Sequence, residues 1–188
     1  RNYDYHTMKA RYFSTFQLIL LALFAALIVV AKIALRLPIQ LSGHSGIFWM
    51  AIMLVGTGIV AKPGAASLIG LTSGILAAFL GMGDFGALNT FLSYTAVGVS
   101  TELAQLLMPD LERMGTAVIV GALGHMGKFL VKWLLGILTG APIGFIALGM
   151  FWAMLGYIIF GGLGGLLGRL TLKALHQAGF FAYIADKR

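Results

Sequence analysis

His125, Lys128 and Lys132 stand three and four residues apart within one apolar stretch, a spacing that sets all three on one face of a helix. Ionisable side chains at membrane depth are costly and mark binding sites or ion paths. Two ammonium groups beside an imidazole make a cationic wall, suited to a ligand that carries negative charge or acceptor groups. The alternative is that the lysines snorkel along flexible stems or pair with an internal acid such as Glu102. Glu102 can equally meet a basic residue of a partner or serve the fold. Asn89 and Ser93, four residues apart on the preceding stretch, share a face that can line a site. Alternatively, Ser93 bonds back to its own helix.

The stretch Pro38-Ile39-Gln40-Leu41-Ser42-Gly43-His44-Ser45-Gly46 leads into Ile47-Phe48-Trp49-Met50. A Gly/Ser loop with one histidine above an aromatic pair has the makeup of a lid over a stacking platform. A solvated loop histidine is the plainer alternative. Trp152 offers either a further stacking surface or an interfacial anchor. The candidate ligand contacts are therefore His44, Trp49, Asn89, Lys128, Lys132 and Trp152. A metal could draw only on His44, His125 and Asp84, with no His-x-x-x-His spacing, so neither metal nor cofactor is expected. Enzymatic activity is not expected either. The chain has six acids, Asp4, Asp84, Glu102, Asp110, Glu112 and Asp186, and lacks Gly-x-Ser-x-Gly, His-Glu-x-x-His and an intramembrane Asp pair. It also lacks a Walker A motif, so any ATP-driven role needs a separate ATPase.

The elements that position these residues are membrane helices. Of 188 residues, 60% are hydrophobic and 10% charged, against about 25% charged in soluble domains; the mean hydropathy is +0.95. The residues 1–188 read as a single membrane domain with six apolar segments, roughly 15–36, 47–61, 64–81, 88–107, 116–138 and 144–172. The second and third are short for a span of about 20 residues. Breaks fall at residues 37–46, at Lys62-Pro63-Gly64, at Gly81-Met82-Gly83-Asp84, at 108–115 and at Thr139-Gly140-Ala141-Pro142. No cleavable leader is expected, because the first apolar stretch runs on too long. Cysteine is absent, which excludes disulfides and thiolate metal sites.

The net charge of +7 is distributed asymmetrically. Arg1, Lys9, Arg11, Lys62, Arg113, Arg169, Lys173, Lys187 and Arg188 fall on one side of the predicted spans, and little beyond Arg36 on the other. The positive-inside rule then places both termini in the cytoplasm of a multi-pass membrane protein. The basic stretch from Leu170 to Arg188 is expected to lie along the membrane surface. Nucleic-acid binding is not expected, since no basic face carries interleaved stacking aromatics; membrane lipid is the partner this charge fits.

Small residues recur where helices can meet. Ala22 and Ala26 share a face of the first helix, and Ala25 and Ala31 are expected to broaden that strip. In lipid such a strip lets a second backbone approach closely. Gly161 with Gly165, Gly164 with Gly168, and Gly70 with Gly74 form further Gly-x-x-x-Gly pairs, read either as internal packing or as a sliding surface. No inverted repeat is evident between the halves.

Length, six predicted helices with inside termini and Ala-x-x-x-Ala in helix 1 resemble the substrate-binding S component of an energy-coupling factor (ECF) transporter. Lys62-Pro63-Gly64-Ala65-Ala66 and the small-residue run Gly98-Val99-Ser100-Thr101-Glu102 are similar to the thiamin-related YkoE-like branch. The resemblance covers roughly residues 15–170. It implies a bacterial or archaeal plasma-membrane protein that captures a vitamin or vitamin precursor at the outer face, by loop 1 and the outer halves of helices 4 to 6. It also implies coupling through Ala22 and Ala26 to a transmembrane T subunit and two cytoplasmic ATPases. The chain departs from that branch in charge: Lys132 and Lys128 stand in the outer half against Asp84 alone, which favours an anionic or neutral ligand over cationic thiamin. Rival readings are a membrane scaffold subunit without a ligand, an autonomous secondary transporter, and an enzyme acting on lipid.

Overall fold

The computed structural model describes residues 13–35, 41–82, 86–140 and 143–181, with the backbone alone for 143–148. Asp84, Arg36, residues 38–40 and the terminal cations Arg1, Lys9, Arg11, Lys187 and Arg188 lie outside them, as do Asp4, Gly83, Ala141, Pro142 and Asp186. Among the described residues the chain is all-helical, with α1 (Thr15–Ala34), α2 (Gly46–Val60), α3 (Ala65–Phe79), α4 (Gly86–Leu107), α5 (Met114–Leu138) and α6 (Ile143–Gln177). The predicted segments match these helices to within a few residues. One differs at its end: α6 runs on to Gln177, so the first part of the predicted surface stretch continues a spanning-type helix.

Local chemistry sets the helix ends. Ser14 caps α1 with a reciprocal capping box: its Oγ accepts from Gln17 N at 3.3 Å, and Gln17 Oε1 accepts from Ser14 N at 3.0 Å. Helix α2 closes on Ala61 in the left-handed region (φ 48°). Pro63 then lacks a donor, and Gly64 (φ 90°) turns the chain into α3.

The helices form a ring in the order α1, α2, α6, α5, α4, α3 and back to α1, with α2 also meeting α3 and α5. That central place explains the composition of α2. A helix buried on nearly all sides needs no polar face, and its buried residues run from Trp49 through Val60 with few interruptions. Close approach depends on glycine. Gly161 and Gly165 face Gly121 and the Ala117 carbonyl on α5, whereas Gly164 and Gly168 face Gly46, Met50 and Ala51 on α2. Gly70 abuts Gly98 on α4, with a Cβ at Gly70 only 2.6 Å from Gly98 Cα. The paired glycines are therefore internal packing surfaces.

Polarity is distributed inside-out. Gln17, Thr57, Ser73, Asn89, Thr90, Ser93, Thr101 and His125 are buried, while Ile19, Leu23, Leu107, Leu130 and Trp152 are exposed. An outer surface of this kind fits an apolar solvent. Among the described residues three helices are long and apolar enough to cross a bilayer, at Thr15–Ala34, Met114–Leu138 and Gly149–Gln177, while α2 and α3 are shorter apolar helices. Helix α1 packs mainly on α2 and α3, through Leu21, Ala25, Ile28, Val29 and Ala31. Ala22 is exposed and Ala26 half-buried. Ala25 and Ala31 thus belong to the inward face and do not widen the Ala22–Ala26 strip, because the 100° step per residue carries them round the helix.

Candidate functional site

Five helices contribute to one cluster of rings and cations. Trp49 occupies the first turn of α2 and is 4% exposed. Its ring meets Tyr94 of α4 with centroids 5.1 Å apart and His125 of α5, edge-on, at 5.3 Å. His125 meets Tyr157 of α6 at 4.7 Å, and Phe129, one turn further along α5, meets Tyr157 at 6.0 Å. Glycine again makes this possible, since a Cβ at Gly46 would overlap the His125 imidazole. Two cations lie over these rings. Lys128 Nζ is 5.1 Å from the Trp49 centroid and 6.0 Å from that of Tyr94, and Lys32 Nζ of α1 is 5.3 Å from Tyr94. At such distances the ring quadrupoles attract the ammonium groups, by about 0.5–2 kcal/mol each depending on desolvation.

Hydrogen bonding leaves the cluster incomplete. His125 Nδ1 lies 3.0 Å from the Tyr157 carbonyl. A carbonyl only accepts, so the bonded Nδ1 carries the hydrogen and Nε2 of the neutral ring presents a lone pair. That Nε2 and the Trp49 indole Nε1 are buried with no hydrogen-bond partner among the described residues. One is an acceptor and the other a donor, on two adjacent rings. Buried polar atoms of this kind cost about 1–3 kcal/mol each if nothing meets them, so the site is chemically suited to a group offering both a donor and an acceptor edge.

The 41–45 segment covers the cluster. Gly43 adopts φ 84° and rests on the Gly156–Tyr157 backbone, a Cβ there coming 3.1 Å from Tyr157 Cα. The Ser42 carbonyl sits against Gly156, where a side chain would collide with it. A small void of about 10 Å³, room for about one water, lies between the end of α1 and the start of α2, lined by Lys32, Ser45, Phe48 and Trp49. Gly156→Val should therefore unseat the turn. In a chain whose Trp133 and Trp152 are replaced by Phe, acrylamide quenching of Trp49 fluorescence is expected to rise severalfold; unchanged quenching would mean that the segment is not held at Gly156.

The structure brings Trp49 and Lys128 together and distributes the other predicted contacts more widely. Asn89 is buried on α4, with Ser93 Oγ 3.4 Å from its Oδ1. Lys132 is half-buried one turn beyond Lys128. His44 Nδ1 lies 2.7 Å from the Leu41 carbonyl, a bond within its own turn. Trp152 is 71% exposed and edge-on to Phe151 at 5.8 Å, on the outer surface of α6. Lys32, Tyr94 and Tyr157 were not among the predicted contacts. Lys32 had a signal, being an ionisable residue in the apolar first helix; Tyr157 had none beyond its residue type.

Glu102 takes a role distinct from pairing with Lys128. Its carboxylate lies at the start of α3, where Oε1 accepts from Gly64 N at 2.7 Å, and Oε2 from Ala66 N at 3.0 Å and Ser67 N at 3.4 Å. The first amides of a helix lack intrahelical acceptors and carry the positive end of its dipole, so an acid from α4 caps α3 across the bundle. Among the described residues no group of three or more His, Asp or Glu side chains could hold a metal. No known protein family, curated protein or solved structure matches this chain.

Proposed function

We propose that the chain is the substrate-capturing membrane subunit of an ATP-driven ECF-type importer, binding a small vitamin-like molecule at its outer face. The observation that carries this reading is the buried cluster itself: two ammonium groups over the Trp49 and Tyr94 rings, beside an unpartnered indole donor and imidazole acceptor. Flat heterocycles stack on such rings, and an acidic substituent meets the lysines. The ligand is accordingly anionic or neutral. The void beside Trp49 is about 10 Å³, so in this reading a vitamin-sized ligand enters with rearrangement of the segments around it.

In this reading all six helices span the bilayer, the short α2 and α3 within the bundle, and both termini face the cytoplasm. Helix α1 couples to a T subunit, with two cytoplasmic ATPases supplying the energy. Support for that coupling comes from the outward position of Ala22 and the half-buried Ala26, flanked by exposed Ile19, Leu23 and Val30, on a helix whose inward face alone meets the bundle. Replacing Ala22 and Ala26 together by Leu should abolish uptake of a radiolabelled ligand by cells carrying the complete transporter while leaving its binding to the purified chain intact. Unchanged uptake overturns the coupling. Uptake into liposomes by the chain alone, without ATP, would instead make it an autonomous secondary transporter.

A further inference from the structure

A second cavity, of about 320 Å³, lies at the other end of the bundle. It opens where the end of α2 and the Lys62-Pro63 turn meet the ends of α4 and α6. Trp49 starts α2 and Thr57 to Ala61 reach this cavity, so the two sites are about 12–18 Å apart along the helix axis. Binding at one is thus separable from binding at the other.

We propose that this cavity holds a phosphate-bearing anion, supplied by the headgroup of an anionic phospholipid. Arg169, Lys173 and His176 line it from α6; their spacing of four and three places them on one face. Lys62 lines it from the α2–α3 turn. Cations from two elements thus converge on one space. Two acids, Glu102 and Glu112, line it as well, against the three cations Lys62, Arg169 and Lys173 and the histidine. The Glu102 carboxylate is turned to the α3 amides. The Glu112 backbone carbonyl accepts from Arg169 Nε at 3.0 Å, which uses one of the five guanidinium donors, and a guanidinium can meet phosphate oxygens with the others.

The apolar part of the wall favours a lipid over a free anion. Leu106, Leu172 and Phe181 line the same cavity. Leu106 is 54% exposed and the adjoining Leu107 is 80% exposed, so the cavity is continuous with the apolar outer surface of α4. A headgroup can sit among the cations while its glycerol and acyl chains run out along that surface. Basic pockets between membrane helices recognise acidic headgroups in this way.

The test is native mass spectrometry of the purified full chain in mild detergent, titrated with phosphatidylglycerol or phosphatidylcholine of identical acyl chains. One phosphatidylglycerol should be retained at about a tenfold lower concentration than phosphatidylcholine. Arg169→Gln combined with Lys173→Gln should erase that preference, and Lys173→Gln alone should reduce it; thermal melting of each variant checks that it folds. Equal retention of the two lipids, or a preference that survives in the folded double variant, overturns the site. Displacement of phosphatidylglycerol by millimolar inorganic phosphate would retain the phosphate chemistry but overturn lipid as its source. None of these outcomes bears on vitamin binding at the Trp49 cluster.

Discussion

Glu102→Ala is expected to destabilise the protein by about 3 kcal/mol, since hydrogen bonds to a charged acceptor contribute about 1.5–3 kcal/mol and the substitution strands several donors at once. Gly64 N, Ala66 N and Ser67 N all lose their acceptor, and the first turn of α3 loses the negative charge that opposes its dipole. No local residue can substitute, because the N-cap of α3 is Gly64, which has no side chain. Glu102→Gln should fall between wild type and Ala. It keeps one carbonyl oxygen but replaces the other acceptor by a donor facing donors. Glu102→Asp is one methylene shorter and should fail to reach both ends of the Gly64–Ser67 amide row. Unfolding in detergent, followed by helical circular dichroism, reads the order. A Glu102→Ala midpoint equal to wild type would show that water caps α3 equally well and that the carboxylate is incidental.

The helices were legible because their cause is local. Apolar runs ended by Lys62-Pro63-Gly64 or by Met108-Pro109-Asp110 stop where proline removes a donor and glycine permits a turn. Glycine spacing likewise marked real contacts, and the internal reading of Gly161, Gly165, Gly164 and Gly168 is the one the structure bears out. The partner of Glu102 was not legible, because its acceptor–donor match is to backbone amides 35–38 residues away, and every residue except proline offers a backbone N–H. The orientation of Trp152 was hidden for a related reason. The part of α6 before Arg169 is apolar on all sides, so no amphipathic stripe distinguishes its inward Tyr157 from its outward Trp152. The residue type and apolar setting of Lys32 mark it in the sequence, but only the fold shows that α1 delivers it to the same aromatic cluster as Lys128 of α5.

Lys128→Met has the second large effect, and its sign depends on the charge of the ligand. Lys128 Nζ lies over the Trp49 and Tyr94 rings, where a stacked ligand must either displace it or pair with it. For a ligand bearing a carboxylate or phosphate, removal of the ammonium eliminates a desolvated, charge-assisted contact, and affinity should fall about 10–100-fold. A neutral heterocycle should bind within about threefold of wild type, since Met preserves the apolar stem and loses only the charge. A cationic ligand should bind more tightly, because the rings that Lys128 now covers would be released to it. Trp49→Phe separates stacking from hydrogen bonding at the same place. Phe keeps a ring but has no indole Nε1–H, so a ligand that accepts from that buried donor should weaken about tenfold. Isothermal titration with each member of a vitamin panel reads both variants, and melting curves check that both remain folded. If neither substitution changes the affinity of the ligand that wild type binds, the ring-and-lysine cluster is a packing feature of the core and capture takes place elsewhere.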